Sequence, residues 1–230
     1  MNSASLPRPL LYLADLLVVA LVYFGLDAAA EALPLPDDFR LGIVVSTFAK
    51  CLFYLFIVFW LRVRGDTVAA IGLRRPRSWP RTVVLGVLLA AAIFLAIYLL
   101  ERAGFRRDLS AFAAFHHNLP FTLWQLGGII IGAGFGEEFL FRGFLFQRLA
   151  LLFGGRKHGW AIACLLQAAF FGYMHAYQGP LGIVITGCMG LIFGLVFVAA
   201  GRNLWVTIFA HALYDSARLA AFYTNGAPPW

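Results

Sequence analysis

The sequence predicts an all-α, polytopic membrane protein of about seven transmembrane helices, with the active site inside the helix bundle. The chain has 230 residues, of which 62% are hydrophobic and only 13% charged, and its mean hydropathy is +0.83. A soluble domain carries near 25% charged residues. The apolar segments are each near the ~20 residues that cross a bilayer, and they use nearly all of the length, so residues 1–230 read as a single integral membrane domain. The few remaining charges supply the third observation. Several fall inside apolar segments, where each costs roughly 2.5–3.5 kcal/mol, so they require partners, water or a task.

The expected helices cover 9–29, 41–61, 81–101, 121–149, 159–176, 180–200 and 204–223. Breakers mark the gaps: Pro34 and Pro36, Pro76 and Pro80, Pro120, Gly154-Gly155, Gly179-Pro180 and Gly201. The first run, Pro9–Leu26, exceeds the ~7–15-residue core of a signal peptide, so it reads as a spanning helix despite Ala28-Ala29-Ala30 behind it. The fourth helix is long enough to project or tilt. Its Gly127, Gly128, Gly132, Gly134 and Gly136 permit close helix approach or local unwinding. Cys51, Cys164 and Cys188 all lie in apolar segments, match no disulfide or zinc spacing, and read as small buried hydrophobes.

The net charge of +7 points to orientation in a membrane, not to nucleic acid, because the basic residues cluster between apolar segments. With the loop carrying Arg62, Arg64, Arg74, Arg75, Arg77 and Arg81 inside, Arg8, Arg148, Arg156, Lys157 and Arg202 fall inside too. That is 11 basic residues, against Arg40, Arg102, Arg106 and Arg107 outside. The N-terminus is therefore expected in the cytoplasm, in a multi-pass protein of the cell (inner) membrane. Trp60, Trp79, Trp124, Trp160 and Trp205 fit interfacial belts. Asp15 and Lys50 are expected either to pair across the first two helices or to reach the interface. Glu101, Asp108, His116 and His117 read as a solvated outer loop, with the adjacent histidines a weaker metal candidate.

The stretch Phe135-Gly136-Glu137-Glu138-Phe139-Leu140-Phe141-Arg142 puts three charges into one apolar helix. Glu138 and Arg142 are four apart and share a face, so they are expected to form an ion pair. Glu137 sits about 100° round the helix and has no local counter-charge. Desolvation of a lone carboxylate favours its neutral form, which suits a general base or acid. Two later helices add Gln167, Phe171 and His175 on one face, and His211 and Asp215 on another. A lone histidine in a membrane helix is often only an interhelical hydrogen bonder. A carboxylate pair, two histidines and an aspartate on three apolar helices read together as one site.

Glu137-Glu138-x-x-x-Arg142, Phe171-x-x-x-His175 and His211-x-x-x-Asp215 resemble, in order, the three motifs of the CPBP family, which holds CAAX prenyl proteases and bacteriocin-processing or immunity proteins. The resemblance covers about 120–223 as a catalytic core, with 1–119 as additional N-terminal helices. Asp215 stands where the eukaryotic CAAX branch usually has Asn. The resemblance implies an intramembrane endopeptidase. Glu137 and His175 would activate a water, His211 and Asp215 would stabilise the oxyanion, and Glu138, Arg142 and Phe171 would support them. The cofactor stays open between none and a zinc held by Glu137, His175 and His211; no His-Glu-x-x-His pair forces zinc. The implied partners are a protein or peptide substrate at the membrane and the bilayer itself, with no nucleic acid. The oligomeric state and the identity of the substrate are not legible. The alternatives are a non-catalytic immunity or scaffold protein on the same fold, and a small proton-coupled transporter, which the lack of an inverted repeat disfavours. One expectation fits poorly. Glu137 lies about 16 residues, or roughly 24 Å, from the outer end of its helix, while His175 lies at the outer end of its own.

Overall fold

Helix follows helix because the apolar runs offer no period-2 alternation and because a lipid-facing backbone must satisfy its own hydrogen bonds. The computed structural model describes residues 7–34 and 38–227; Pro36, one of the expected breakers, lies outside them. Helix α1 runs Arg8–Glu31, α2 Phe39–Val63 and α3 Trp79–Arg102. A short tight turn, Ser110–Phe115, precedes α4, Leu119–Gly128. The chain continues without a break through a wide segment, Ile129–Leu145, into α5, Phe146–Leu152. Then come α6, Lys157–Tyr173, a single turn Ala176–Gln178, α7, Gly179–Ala199, and α8, Trp205–Asn225. No strand occurs among the described residues.

The expected helices are found near their expected places. Four stretches are long and apolar enough to cross a membrane: α1, α2, α3 and Ala176–Ala199, the last being essentially α7. The rest depart from that composition for a physical reason. The rod from α4 to α5 carries Glu137, Glu138, Arg142 and Arg148, α8 carries His211, Asp215 and Arg218, and α6 has only 17 residues.

Starts and stops follow local chemistry. Asp38 accepts from Arg40 N at 2.8 Å ahead of α2, and Pro80 occupies the first turn of α3. The N-terminal helices clasp the later ones: α1 packs on α2 and α5, and α3 packs on α8. One end of the bundle gathers the basic loops. Arg74 Nη2 donates to the Gly201 carbonyl at 2.6 Å, Asn203 Nδ2 to the Arg74 carbonyl at 2.8 Å, and Arg148 Nη2 to Asp66 at 2.6 Å.

Asp15 does not pair with Lys50. It is buried and meets Arg64 at 2.8 Å and Arg148 at 3.0 Å, and accepts from Trp60 Nε1 at 3.0 Å. Two guanidiniums answer Asp15 instead of a single ammonium that sits well before Trp60 in α2 and is exposed beside Gly132. Trp60 is thereby an internal tie. Of the cysteines, Cys164 is buried, Cys51 half-buried and Cys188 exposed, and all three are free. Only Cys164 fits the buried reading; Cys188 is on the outer face of α7.

Candidate active site

The wide segment Ile129–Leu145 positions the glutamates. Its end is marked by the Phe146 N–H bonding the Phe141 carbonyl, a five-residue step in place of the usual four. Two close approaches explain why this stretch is rich in glycine. A Cβ on Gly134 would lie 2.6 Å from Ala212 Cβ of α8, and one on Gly136 would overlap the Tyr54 ring and hydroxyl of α2. The Tyr54 hydroxyl donates to the Gly132 carbonyl at 3.2 Å, which supports a backbone of irregular pitch. A helix wound with five-residue bonds advances less per residue than an α-helix. Sixteen residues then cover less than the expected depth, and Glu137 and His175 line the same cavity.

Glu138 is fully buried and accepts from Arg142 Nη1 at 2.9 Å, the expected pair. It also accepts from His211 Nδ1 of α8 at 2.8 Å, across 73 residues of sequence. The Arg142 guanidinium sits 4.3 Å from the Phe171 ring centre and 5.1 Å from that of Phe193. Those faces cover the N–H groups that find no acceptor. Phe193 also stacks on His211, at 5.3 Å between ring centres and 27° between planes. Arg142 and His211 are thus held between a shared carboxylate and shared aromatic walls.

With Nδ1 committed to Glu138, His211 presents Nε2 to the cavity. It lies 3.4 Å from Asp215 Oδ2 and 3.9 Å from Glu137 Oε2. Glu137 is 30% exposed, and its Oε2 has no hydrogen-bond partner. His175 bonds the Phe171 carbonyl through Nδ1 at 2.8 Å, so its Nε2 is left free for the cavity. The cavity, about 190 Å³, is lined by Glu137, Phe171, His175, His211 and Asp215, with Tyr177 and Tyr214 beside them. That space has room for several waters. It reaches the end of the bundle away from the basic loops, where Leu109, Phe112 and Phe115 of the 110–115 turn and Phe222 of α8 form its rim. On that rim Ser110 donates to the Asp108 carboxylate at 3.0 Å. Hydrogen bonds from Ser110 hold the Asp108 carboxyl below the usual carboxylate range.

The structure therefore brings Glu137, His175, His211 and Asp215 to one cavity, with Glu138, Arg142 and Phe171 behind them. Gln167 is elsewhere: its amide donates to the carbonyls of Cys164 and Gly190, tying α6 to α7. His116 and His117 lie against each other, 4.0 Å between ring centres, in the segment between α3 and α4. The donor set suggested for zinc fits poorly. Among the described residues no three His, Cys, Asp or Glu side chains converge in a metal-holding group. Sequence reasoning missed Phe193, Tyr54, Arg107 and Arg218. Arg218 is one turn beyond Asp215 and was open to the same face argument; the other three carry no local signal.

An all-helical membrane bundle with acids and imidazoles around an internal cavity defines the class. Residues 118–217 match the family model of type II CAAX prenyl endopeptidase Rce1-like proteins. That match bears out the CPBP resemblance of the three motifs, and it places this part of the chain beside intramembrane endopeptidases. No curated protein and no solved structure matches the chain.

Proposed function

We propose that the protein is a multi-pass intramembrane endopeptidase of seven transmembrane helices, hydrolysing a peptide bond of a membrane-associated protein or peptide. The observation that carries this reading is that Glu137, His175, His211 and Asp215, from three separate rods, line one cavity large enough for water. Glu137 Oε2, which lacks a partner, takes a proton from a water that His175 Nε2 helps to orient. The water oxygen attacks the scissile carbonyl carbon. The oxyanion accepts a hydrogen bond from His211 Nε2–H in the doubly protonated ring, which Glu138 holds by Nδ1 and Asp215 flanks. The proton on Glu137 passes to the leaving nitrogen as the C–N bond breaks. No step is routed through a metal.

With the basic loops in the cytoplasm, the cavity faces the opposite side of the inner membrane. The test is substrate trapping. Glu137→Gln protein is purified from membranes, its co-purifying proteins are identified, and these are offered to wild-type protein in nanodiscs. Mass spectrometry should show one new N-terminus per trapped substrate. Trapped proteins left intact by the wild type would end the peptidase reading.

A further inference from the structure

The turn that carries Glu137 is gripped by a residue of another helix. Tyr54 of α2 stands outside residues 118–217, which match the family model, and it does not line the cavity. Its ring lies edge-on to Phe135 and Phe139, 6.5 and 6.3 Å between centres and 81° and 84° between planes. The ring occupies the slot that Gly136 leaves by having no side chain. Its hydroxyl donates to the Gly132 carbonyl at 3.2 Å. These contacts run along one stripe of the wide segment and bracket Glu137.

Packing accounts for the ring but not for the hydroxyl. A phenyl ring would fill the same slot, and a hydroxyl among aromatic rings costs free energy unless it finds an acceptor. The acceptor it finds is one whose backbone partner defines the winding. With five-residue bonds the Gly132 carbonyl faces the N–H of Glu137; with the usual four it would face that of Gly136. A return to four-residue bonds would lengthen this turn. It would also rotate Glu137 out of the placement that puts its Oε2 3.9 Å from His211 Nε2. Five-residue bonds are rare in helices and recur at functional sites. A donor from α2 on this carbonyl therefore fixes the rod at the height of the carboxylate that the reaction uses.

We propose that Tyr54 is a positioning residue: through the Gly132 carbonyl, its hydroxyl holds the winding that sets Glu137 beside His211 and the attacking water. The inference rests on the endopeptidase reading.

Tyr54→Phe, which keeps the ring and removes one oxygen, tests it on a substrate trapped by Glu137→Gln. The kcat should fall about 10–100-fold, the scale of a small misplacement of reacting groups. KM should stay within about twofold, because Tyr54 does not line the cavity. Added to Glu137→Gln, the same change should lower the residual rate by no more than about twofold, since the hydroxyl acts through that carboxylate. Asp15→Asn, which loosens contacts to Arg64 and Arg148 away from this turn, controls for lost stability alone. An unchanged kcat, a loss carried by KM, a full further loss on top of Glu137→Gln, or an equal fall of kcat in Asp15→Asn overturns the proposal. Wild-type protein that cuts no trapped protein sinks the peptidase reading and this one with it. Wild-type cutting that Tyr54→Phe matches in kcat sinks Tyr54 alone.

Discussion

Two neighbouring glutamates should respond in opposite ways to the same substitution. Glu138→Gln removes a fully buried charge that accepts from Arg142 at 2.9 Å and from His211 at 2.8 Å. Arg142 is then left buried against aromatic faces without the one carboxylate in direct contact with it. Breaking a buried pair in this way costs about 3–5 kcal/mol. At roughly 2–4 °C per kcal/mol for a chain of this size, the melting temperature should fall by about 10 °C. Glu137→Gln alters a side chain that is 30% exposed and whose Oε2 makes no hydrogen bond. It should leave stability within about 1 kcal/mol, in the range of changes away from packed or paired sites. Thermal unfolding of both variants in one detergent, followed by tryptophan fluorescence and by size exclusion after heating, makes the comparison. Equal melting temperatures, or a larger loss in Glu137→Gln, would refute the division of labour between the two carboxylates.

Gly136→Ala should destabilise by about 1–3 kcal/mol through overlap with Tyr54, and Tyr54→Ala should recover part of that loss in the double variant, measured as a coupling in unfolding. Asp15→Asn should cost about 1–3 kcal/mol by weakening a buried charge-assisted network in which Arg148 keeps Asp66 and Arg64 keeps access to water, readable as a lower melting temperature with no change in cleavage per folded molecule. Exhaustive chelation should leave cleavage intact; loss restored by added zinc would replace the water-activating roles given to Glu137 and His175. Cysteines introduced in the Arg74–Arg77 loop should be labelled only from the cytoplasmic side, and labelling from outside would invert the proposed orientation.

Much of the fold was legible because apolar length and Pro or Gly punctuation are local properties. The ends of α2, α3 and α7 fall within two residues of the expected limits. Glu138–Arg142 was legible for the same reason, since both partners are on one rod. Contacts between rods were not. Helical spacing says which residues share a face, but not how that face is rotated against its neighbours. Neither expectation for Asp15, a pair with Lys50 or a place at the interface, therefore included Arg64 and Arg148; Gln167 shares a face with His175 yet reaches α7, and the Glu138–His211 bond has no signal in the sequence. The wide winding of Ile129–Leu145 was hinted at by its glycines, yet its depth-shortening consequence needs the Tyr54 and Ala212 contacts on the opposite sides of the rod. The 110–115 turn, which rims the cavity, is too short for periodicity to announce.

Side-by-side hydrolysis rates of the wild type, Glu137→Gln and His175→Ala on one trapped substrate in nanodiscs test most directly whether these two side chains prepare the attacking water. Each variant should fold as the wild type does and lose about 10²–10⁴ in turnover. A folded Glu137→Gln protein that still cuts within tenfold of the wild-type rate would contradict the account.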